Sequence, residues 1–108
     1  MSKRESQFSK EVKKRLDELN TKKNLWYFVK EAGSIRGLPD ILGVYNSNLF
    51  AMELKKSESE ARKNTGRIVL QKYTLQLIDR AGGLGYIVHP GNLEEVLQDL
   101  KRRCNRKL

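Results

Sequence analysis

Apolar residues near the start of the chain recur at helical spacing and then give way to a strand-like run. A helix is expected from about Ser2 to Asn20. The residues along one stripe of it are spaced three, four and four apart, and they are Glu5, Phe8, Val12 and Leu16. Residues 25–29, Leu-Trp-Tyr-Phe-Val, are aromatic and β-branched and predict a strand. Residues 33–39 contain two glycines and a proline, which predict a loop.

Two further apolar runs predict an antiparallel hairpin. Residues 40–45 and 49–55 flank Asn46-Ser47-Asn48, and such residues tolerate the positive φ that tight hairpin turns require. Residues 56–66 are rich in charge and poor in apolar side chains, so we expect a mobile loop after the hairpin.

The last third of the chain predicts a helix, a short strand and a final helix. A helix from about Arg67 to Arg80 ends at Gly82-Gly83, and residues 85–88 predict the strand. The apolar residues of that helix are Ile68, Leu70, Tyr73, Leu77 and Ile78. Asn92 is a good N-cap for the last helix, with Glu95 three positions later. Its expected buried side consists of Leu93, Val96, Leu97 and Leu100.

The predicted order of helix, three strands, helix, strand and helix defines an α/β fold with a small mixed sheet flanked by helices. A chain of 108 residues makes one domain, residues 1–108. Because Cys104 and His89 are the single cysteine and the single histidine, an internal disulfide and a Cys/His zinc site are excluded. Catalysis, if any, must use carboxylates, lysines, hydroxyls and a metal ion that prefers oxygen ligands.

The charge of the chain predicts a polyanionic partner. It has 22 Lys and Arg against 13 Asp and Glu, a net charge of +9. Residues 1–30 hold nine basic and four acidic side chains, residues 31–60 three and five, and residues 61–108 ten and four. Two basic surfaces around an acidic segment would suit a protein that holds a polyanion and a metal ion. No apolar stretch approaches the roughly 20 residues of a membrane helix and the N-terminus lacks a signal-peptide apolar region, so we expect a cytoplasmic protein without a membrane partner.

The hairpin brings together the residues with the clearest candidate chemistry. Glu53 and Lys55 are two apart on a strand and therefore share a face. A turn at Asn46-Ser47 places Asp40 opposite Glu53, whereas a turn at Ser47-Asn48 places it opposite Lys55. Either register puts the three polar groups on one face within roughly 5–8 Å. Two carboxylates at that distance repel unless a cation lies between them, and Mg²⁺ prefers oxygen ligands of this kind.

These residues resemble the active-site signature of the PD-(D/E)XK nuclease superfamily, and the longer pattern is similar to its VRR-NUC branch in the form of stand-alone phage-type proteins. The similar features are a glutamate opening the first helix, Arg36-Gly37-Leu38-Pro39-Asp40, Phe50-Ala51-Met52-Glu53-Leu54-Lys55, a glutamine in the next helix, and Ala81-Gly82-Gly83. The resemblance extends from about Glu5 to Asn92. It implies a restriction-endonuclease-like core and a Mg²⁺-dependent DNA endonuclease in which Mn²⁺ substitutes.

By position, the resemblance makes Asp40 and Glu53 the principal metal ligands and Lys55 the catalytic lysine. Glu5 becomes the acidic residue of the first helix that completes the metal or water site, with Glu11 as the alternative. Gln71 becomes the helix glutamine that orients the lysine or contacts the substrate, and an ordinary surface polar residue is the other interpretation.

The resemblance also implies a homodimer with two active sites, cleavage of branched DNA such as four-way junctions, and the host cell cytoplasm as the location if the chain is phage-encoded. Candidates for contact with DNA phosphates are Arg36, Arg62, Lys63 and Arg67 near the site, Lys10, Lys13, Lys14 and Arg15 on the first helix, and Lys101, Arg102, Arg103, Arg106 and Lys107 at the C-terminus. Two other functions stay open: a free-standing homing or nicking endonuclease that recognises a linear duplex sequence, and a non-catalytic nucleic-acid-binding subunit.

Overall fold

A computed structural model describes residues 7–30, 37–63 and 66–104, apart from the side chains of Arg67 and Ile68. Within these residues the chain is an α/β fold with one small mixed sheet of four strands. The elements in chain order are α1 (Gln7–Leu19), β1 (Leu25–Val29), β2 (Ile41–Tyr45), β3 (Asn48–Leu54), α2 (Glu58–Ala61), α3 (Gly66–Arg80), β4 (Leu84–Val88) and α4 (Leu93–Arg103). No helix among the described residues is long and apolar enough to cross a membrane.

The sheet has the strand order β1-β2-β3-β4, with the first three strands antiparallel and β4 parallel to β3. The hairpin between β2 and β3 turns at Asn46 and Ser47, whose φ angles are 50° and 73°. Two successive positive φ values match the twist of the flanking strands, as in type I′ turns. Tyr45 consequently pairs with Asn48. The first of the two registers considered from the sequence is confirmed.

The hydrophobic core lies on one face of the sheet, under α1 and α4. From the helices it contains Val12, Leu16, Leu93, Val96, Leu97 and Leu100, with Cys104 directly after α4, and from the strands Leu25, Ile41, Tyr45, Phe50, Met52 and Val88. The predicted apolar stripe of the last helix is confirmed by its four buried residues. Arg15 of α1 donates to both carboxylate oxygens of Glu94 at 2.6 and 2.9 Å, which joins α1 to α4.

The other face of the sheet is only partly covered, by α3. The buried side chains of α3 are Gln71 and Leu75, whereas Leu70, Tyr73 and Leu77 remain exposed. The helix approaches β4 closely because Gly85 has no side chain: a Cβ there would lie 2.9 Å from the Leu75 carbonyl oxygen. Among the apolar residues predicted for this helix, Leu70, Tyr73 and Leu77 therefore do not lie on its buried side.

Two expectations about local structure are only partly confirmed. The polar stretch after the hairpin is not entirely loop, because it contains α2, where the Ser57 hydroxyl accepts a hydrogen bond from the Glu60 N–H. Asn92 is the N-cap residue of α4, as predicted, but its side chain makes no cap hydrogen bond. Its amide instead accepts from the His89 N–H at 2.8 Å and donates to the Ile87 carbonyl at 3.0 Å. The amide thus closes the loop between β4 and α4.

Candidate active site

Three neighbouring strands bring charged residues to the same level on the sheet face opposite the core. Lys30 directly follows β1, Asp40 directly precedes β2, and Glu53 lies in β3. The Lys30 N–H donates to the Asp40 carbonyl at 2.8 Å, which continues the pairing of β1 with β2. Pairing of Ile41 with Met52 places Asp40 opposite Glu53. Since side chains alternate along a strand and Ile41 and Met52 face the core, this charged row faces away from it.

Glu53 is an almost completely buried carboxylate, with 3% of its surface exposed. Its Oε1 is buried without a hydrogen-bond partner, and its Oε2 lies 3.4 Å from the Lys55 ammonium nitrogen. Burial, followed by the nearby charge of Asp40, raises the pKa of Glu53 to about 7, while Lys55 and Lys30 act in the opposite direction. Burying an ionised carboxylate is costly unless it is paired, and Lys55 offsets this cost only in part, because the pKa of Glu53 remains raised.

Lys55 is held between Glu53 and α3. Its ammonium group donates to the Gln71 side-chain oxygen at 3.0 Å, and 12% of its side chain is exposed. The Lys55 N–H donates to the Val88 carbonyl at 2.8 Å, which anchors the backbone beside β4. Gln71 is itself buried at 7% exposure and so is not a surface polar residue. The structure thus brings Lys55 into direct contact with both Glu53 and Gln71.

The backbone around Asp40 is fixed from two sides. The Asp40 Oδ2 accepts the Leu54 N–H at 2.8 Å, which uses one of its two carboxylate oxygens. Lys30 donates from its ammonium group to the Leu38 carbonyl at 2.9 Å and so restrains the segment that leads into Asp40. Sequence reasoning missed Lys30. The alignment of β1 with β2 could have identified it, because the pairing of Val29 with Ile41 sets Lys30 opposite Asp40.

The donor set of this site fits a hard cation such as Mg²⁺. Two carboxylates lie opposite each other on adjacent strands, and the buried Glu53 Oε1 has no partner. Carboxylate oxygens are the ligands that Mg²⁺ takes, usually one or two from the protein. Within the described residues no third acidic, histidine or cysteine side chain joins the pair, so Glu11 is not brought to it. Glu5, the other candidate for a third ligand, lies outside the described residues.

The predicted DNA-contacting residues have different surroundings. Lys10 and Lys14 are exposed on α1, and Lys13 there is half-buried. Arg62 and Lys63 are exposed at the end of α2, where they pair with Glu58 and Glu60, the second pair at 2.8 Å. Exposed ion pairs of this kind contribute little stability, so phosphates can replace the carboxylates at small cost.

The remaining candidates for contact with DNA lie either in α4 or outside the described residues. Arg102 and Arg103 pair with Asp99 in α4. Arg36, Arg106, Lys107 and the side chain of Arg67 lie outside the described residues.

Comparison of the chain with protein-family models, with curated proteins and with solved structures found no match to any of them. The function is therefore inferred from the residues of the chain and from the resemblance of their pattern.

Proposed function

We propose that the chain is a Mg²⁺-dependent DNA endonuclease with a restriction-endonuclease-like core of the VRR-NUC type, in which Mn²⁺ can replace Mg²⁺. The single observation that carries this proposal is the contact of Lys55 with both Glu53 and Gln71, beside Asp40 on one sheet face. A buried carboxylate, a second carboxylate opposite it and a fixed ammonium group together suit hydrolysis of a phosphodiester.

Each residue of the site has a role in that reaction. Asp40 and Glu53 would hold the metal ion, with Glu5 as a third ligand in the proposal. A bound Mg²⁺ supplies an activated water and neutralises developing negative charge. Lys55 places a positive charge beside the pair, where it stabilises charge that develops on the phosphate. Gln71 restricts the position of the lysine through its side-chain oxygen.

The substrate follows from charge and from the resemblance. A net charge of +9 favours DNA through phosphate contacts, which give affinity with little sequence information. We propose branched DNA, such as a four-way junction, cut by a homodimer with two sites in the cytoplasm. The alternatives are a homing or nicking endonuclease that recognises a linear duplex sequence and a non-catalytic DNA-binding subunit, and the same assay separates all three.

The test compares cleavage of four-way, flapped and linear DNA in Mg²⁺ by the wild type and four variants. Asp40→Asn removes the charge but keeps an oxygen that can accept the Leu54 N–H, so the local backbone should persist. Lys55→Met keeps the length of the side chain. Each should lower the cleavage rate by about 100-fold or more and leave metal-free DNA binding intact.

Two matched variants control for surface charge. Lys56→Met removes the neighbouring lysine, which is exposed, and Lys22→Met removes an exposed lysine between α1 and β1. Both should keep full cleavage at saturating DNA. Cleavage by Lys55→Met at the rate of Lys56→Met would refute the catalytic role. Equal cutting of junctions and linear arms would favour the enzyme that recognises a linear duplex. The absence of metal-dependent cutting of any DNA would favour the non-catalytic binding subunit.

A further inference from the structure

Two aromatic side chains of β1 are exposed beside each other on the sheet face opposite the core. Trp26 and Phe28 are two positions apart and therefore share a face of the strand, while Leu25 between the helix and this row faces the core. Trp26 is 64% exposed and Phe28 43%. Their ring centroids are 5.9 Å apart, and the ring planes are inclined at 37°. We call these two residues the aromatic row. Contiguous exposed apolar side chains mark a binding surface, unlike those scattered singly.

The aromatic row leads along the strand to the candidate active site. Lys30 directly follows β1, two positions after Phe28, and lies opposite Asp40. Since a strand advances roughly 3.3 Å per residue, Phe28 lies roughly 7 Å and Trp26 roughly 13 Å from the level of Lys30. A ligand that extends along the row therefore reaches the two carboxylates of the site.

The spacing of the two rings favours bases that are not stacked on each other. Successive bases of one strand in a duplex are about 3.4 Å apart, and each is covered on both faces by its neighbours. The rings of the aromatic row are 5.9 Å apart, so two bases that each stack on one ring must be separated from each other. Unpaired nucleotides can spread in this way, and proteins that bind single strands hold them by stacking on aromatic side chains.

The charges around the aromatic row suit the backbone of a nucleic acid. Lys23 is exposed two positions before β1, and Lys30 follows the strand, so a cation lies at each end of the row. Lys30 donates to the Leu38 carbonyl, but an ammonium group has three donors and can also contact a phosphate. Leu42 and Val44, which pair with the aromatic residues, carry no charge that would repel phosphates. The net charge of +9 acts in the same direction.

We propose that the aromatic row binds two successive unpaired nucleotides of a DNA strand, one base on Phe28 and one on Trp26, with a phosphate of the same strand at Lys30. This proposal rests on the proposed nuclease function for its choice of DNA and deepens it, because it names the part of the branched DNA that the enzyme holds. That part is a single strand beside the cut, as in a flap or an opened junction. An intact duplex does not offer it.

Binding is measured without metal, so that cleavage does not interfere. The ligands are a single-stranded oligonucleotide, a strand of the same length in which abasic nucleotides replace the intact ones, and the duplex. The two single strands carry equal numbers of phosphates and differ only in their bases. Trp26 is the only tryptophan, and a base stacked on it should quench its emission. We expect quenching by the intact single strand, little quenching by the duplex, and about 10-fold or more weaker binding of the abasic strand.

Variants then test the rings themselves, with binding followed by the fluorescence anisotropy of a labelled strand. Trp26→Leu and Phe28→Leu each remove a ring but keep an apolar side chain, and each should weaken binding of the intact strand by about 10-fold without changing that of the abasic strand. Trp26→Phe keeps a ring and should retain most of the affinity. Tyr73→Leu is the matched control. It removes an exposed ring on the outer side of α3, two positions from both Gln71 and Leu75, which are buried, and should leave binding unchanged.

Three results would overturn the proposal. Equal binding of intact and abasic strands by the wild type would leave only phosphate contacts. Equal quenching by duplex and single strand would mean that the rings do not select unpaired bases. An emission of Trp26 that shifts on dilution of the protein alone and does not respond to DNA would mean that a second copy covers the ring.

The failure of this proposal can be told apart from the failure of the nuclease proposal. Lys55→Met should lose cleavage in Mg²⁺ and keep the quenching by single strands. Quenching without metal-dependent cleavage of any DNA by the wild type would overturn the nuclease proposal alone. Cleavage that is equally fast with intact and with abasic nucleotides beside the cut, together with equal binding of the two strands, would overturn the stacking proposal alone.

Discussion

Replacing Glu53 with glutamine should remove a pH-dependent loss of stability. The wild-type carboxyl group is buried at 3% exposure, and burial together with the charge of Asp40 raises its pKa from 4.5 to about 7. Below pH 4.5 the group is protonated in both the folded and the unfolded chain. Between pH 4.5 and about 7 the unfolded chain has lost this proton, whereas the folded chain still holds it on the buried group. The stability of the wild type should therefore fall across this window.

The magnitude follows from the size of the shift. One pKa unit corresponds to about 1.4 kcal/mol, so a rise from 4.5 to about 7 corresponds to about 3 kcal/mol between pH 4.5 and neutrality. Glu53→Gln has no group to ionise at this position, and the remaining titratable residues are shared with the wild type. The difference in unfolding free energy between the two proteins should thus change by about 3 kcal/mol, in favour of the variant as the pH rises.

The assay is urea unfolding followed by circular dichroism at several pH values from about 4 to about 8. Protein concentration is kept constant because association would add to the apparent stability. Glu95→Gln, which changes an exposed carboxylate of α4, is the matched control and should track the wild type. A difference between wild type and Glu53→Gln that stays constant over the whole range would refute the reasoning.

Adding Mg²⁺ extends the same experiment to the proposed metal site. A cation that binds the ionised pair should stabilise the wild type most at about pH 8, where it compensates the buried charge. Glu53→Gln should gain much less at that pH. Equal stabilisation of both proteins by Mg²⁺ would mean that the metal binds elsewhere.

Three further substitutions test neighbouring contacts. Gln71→Leu keeps a similar volume but removes the acceptor of Lys55, so we expect cleavage to slow by about 10-fold with the fold retained, and an unchanged rate would argue against a positioning role. Lys30→Met leaves the Leu38 carbonyl without this donor and should cost about 1 kcal/mol in urea unfolding at about pH 8, whereas Lys22→Met, at an exposed position, should cost nothing measurable. Gly85→Val would place a Cβ 2.9 Å from the Leu75 carbonyl oxygen and should lower the unfolding free energy by about 2 kcal/mol, detected as a lower urea midpoint.

The sequence by itself determined the elements other than α2 and much of the hairpin. Asn46 and Ser47 tolerate positive φ, and both registers with a two-residue turn set Asp40 and Glu53 on one face. The buried stripe of the last helix was equally readable, because Val96 and Leu100 recur at helical spacing and pack on a continuous core. Both features depend on short-range geometry, in which spacing along the chain fixes the side to which each residue belongs.

Only the tertiary structure decided which surfaces meet. Leu77 looks like a core residue at helical spacing, yet α3 instead buries Gln71 against Lys55, because Gly85 admits the helix backbone at one place on the sheet. Lys30 joined the site only once β1 was aligned with β2. These contacts join residues far apart in the chain. The pattern within one element carries no information about which partner will cover it, and the balance of packing and desolvation over the whole molecule makes that choice.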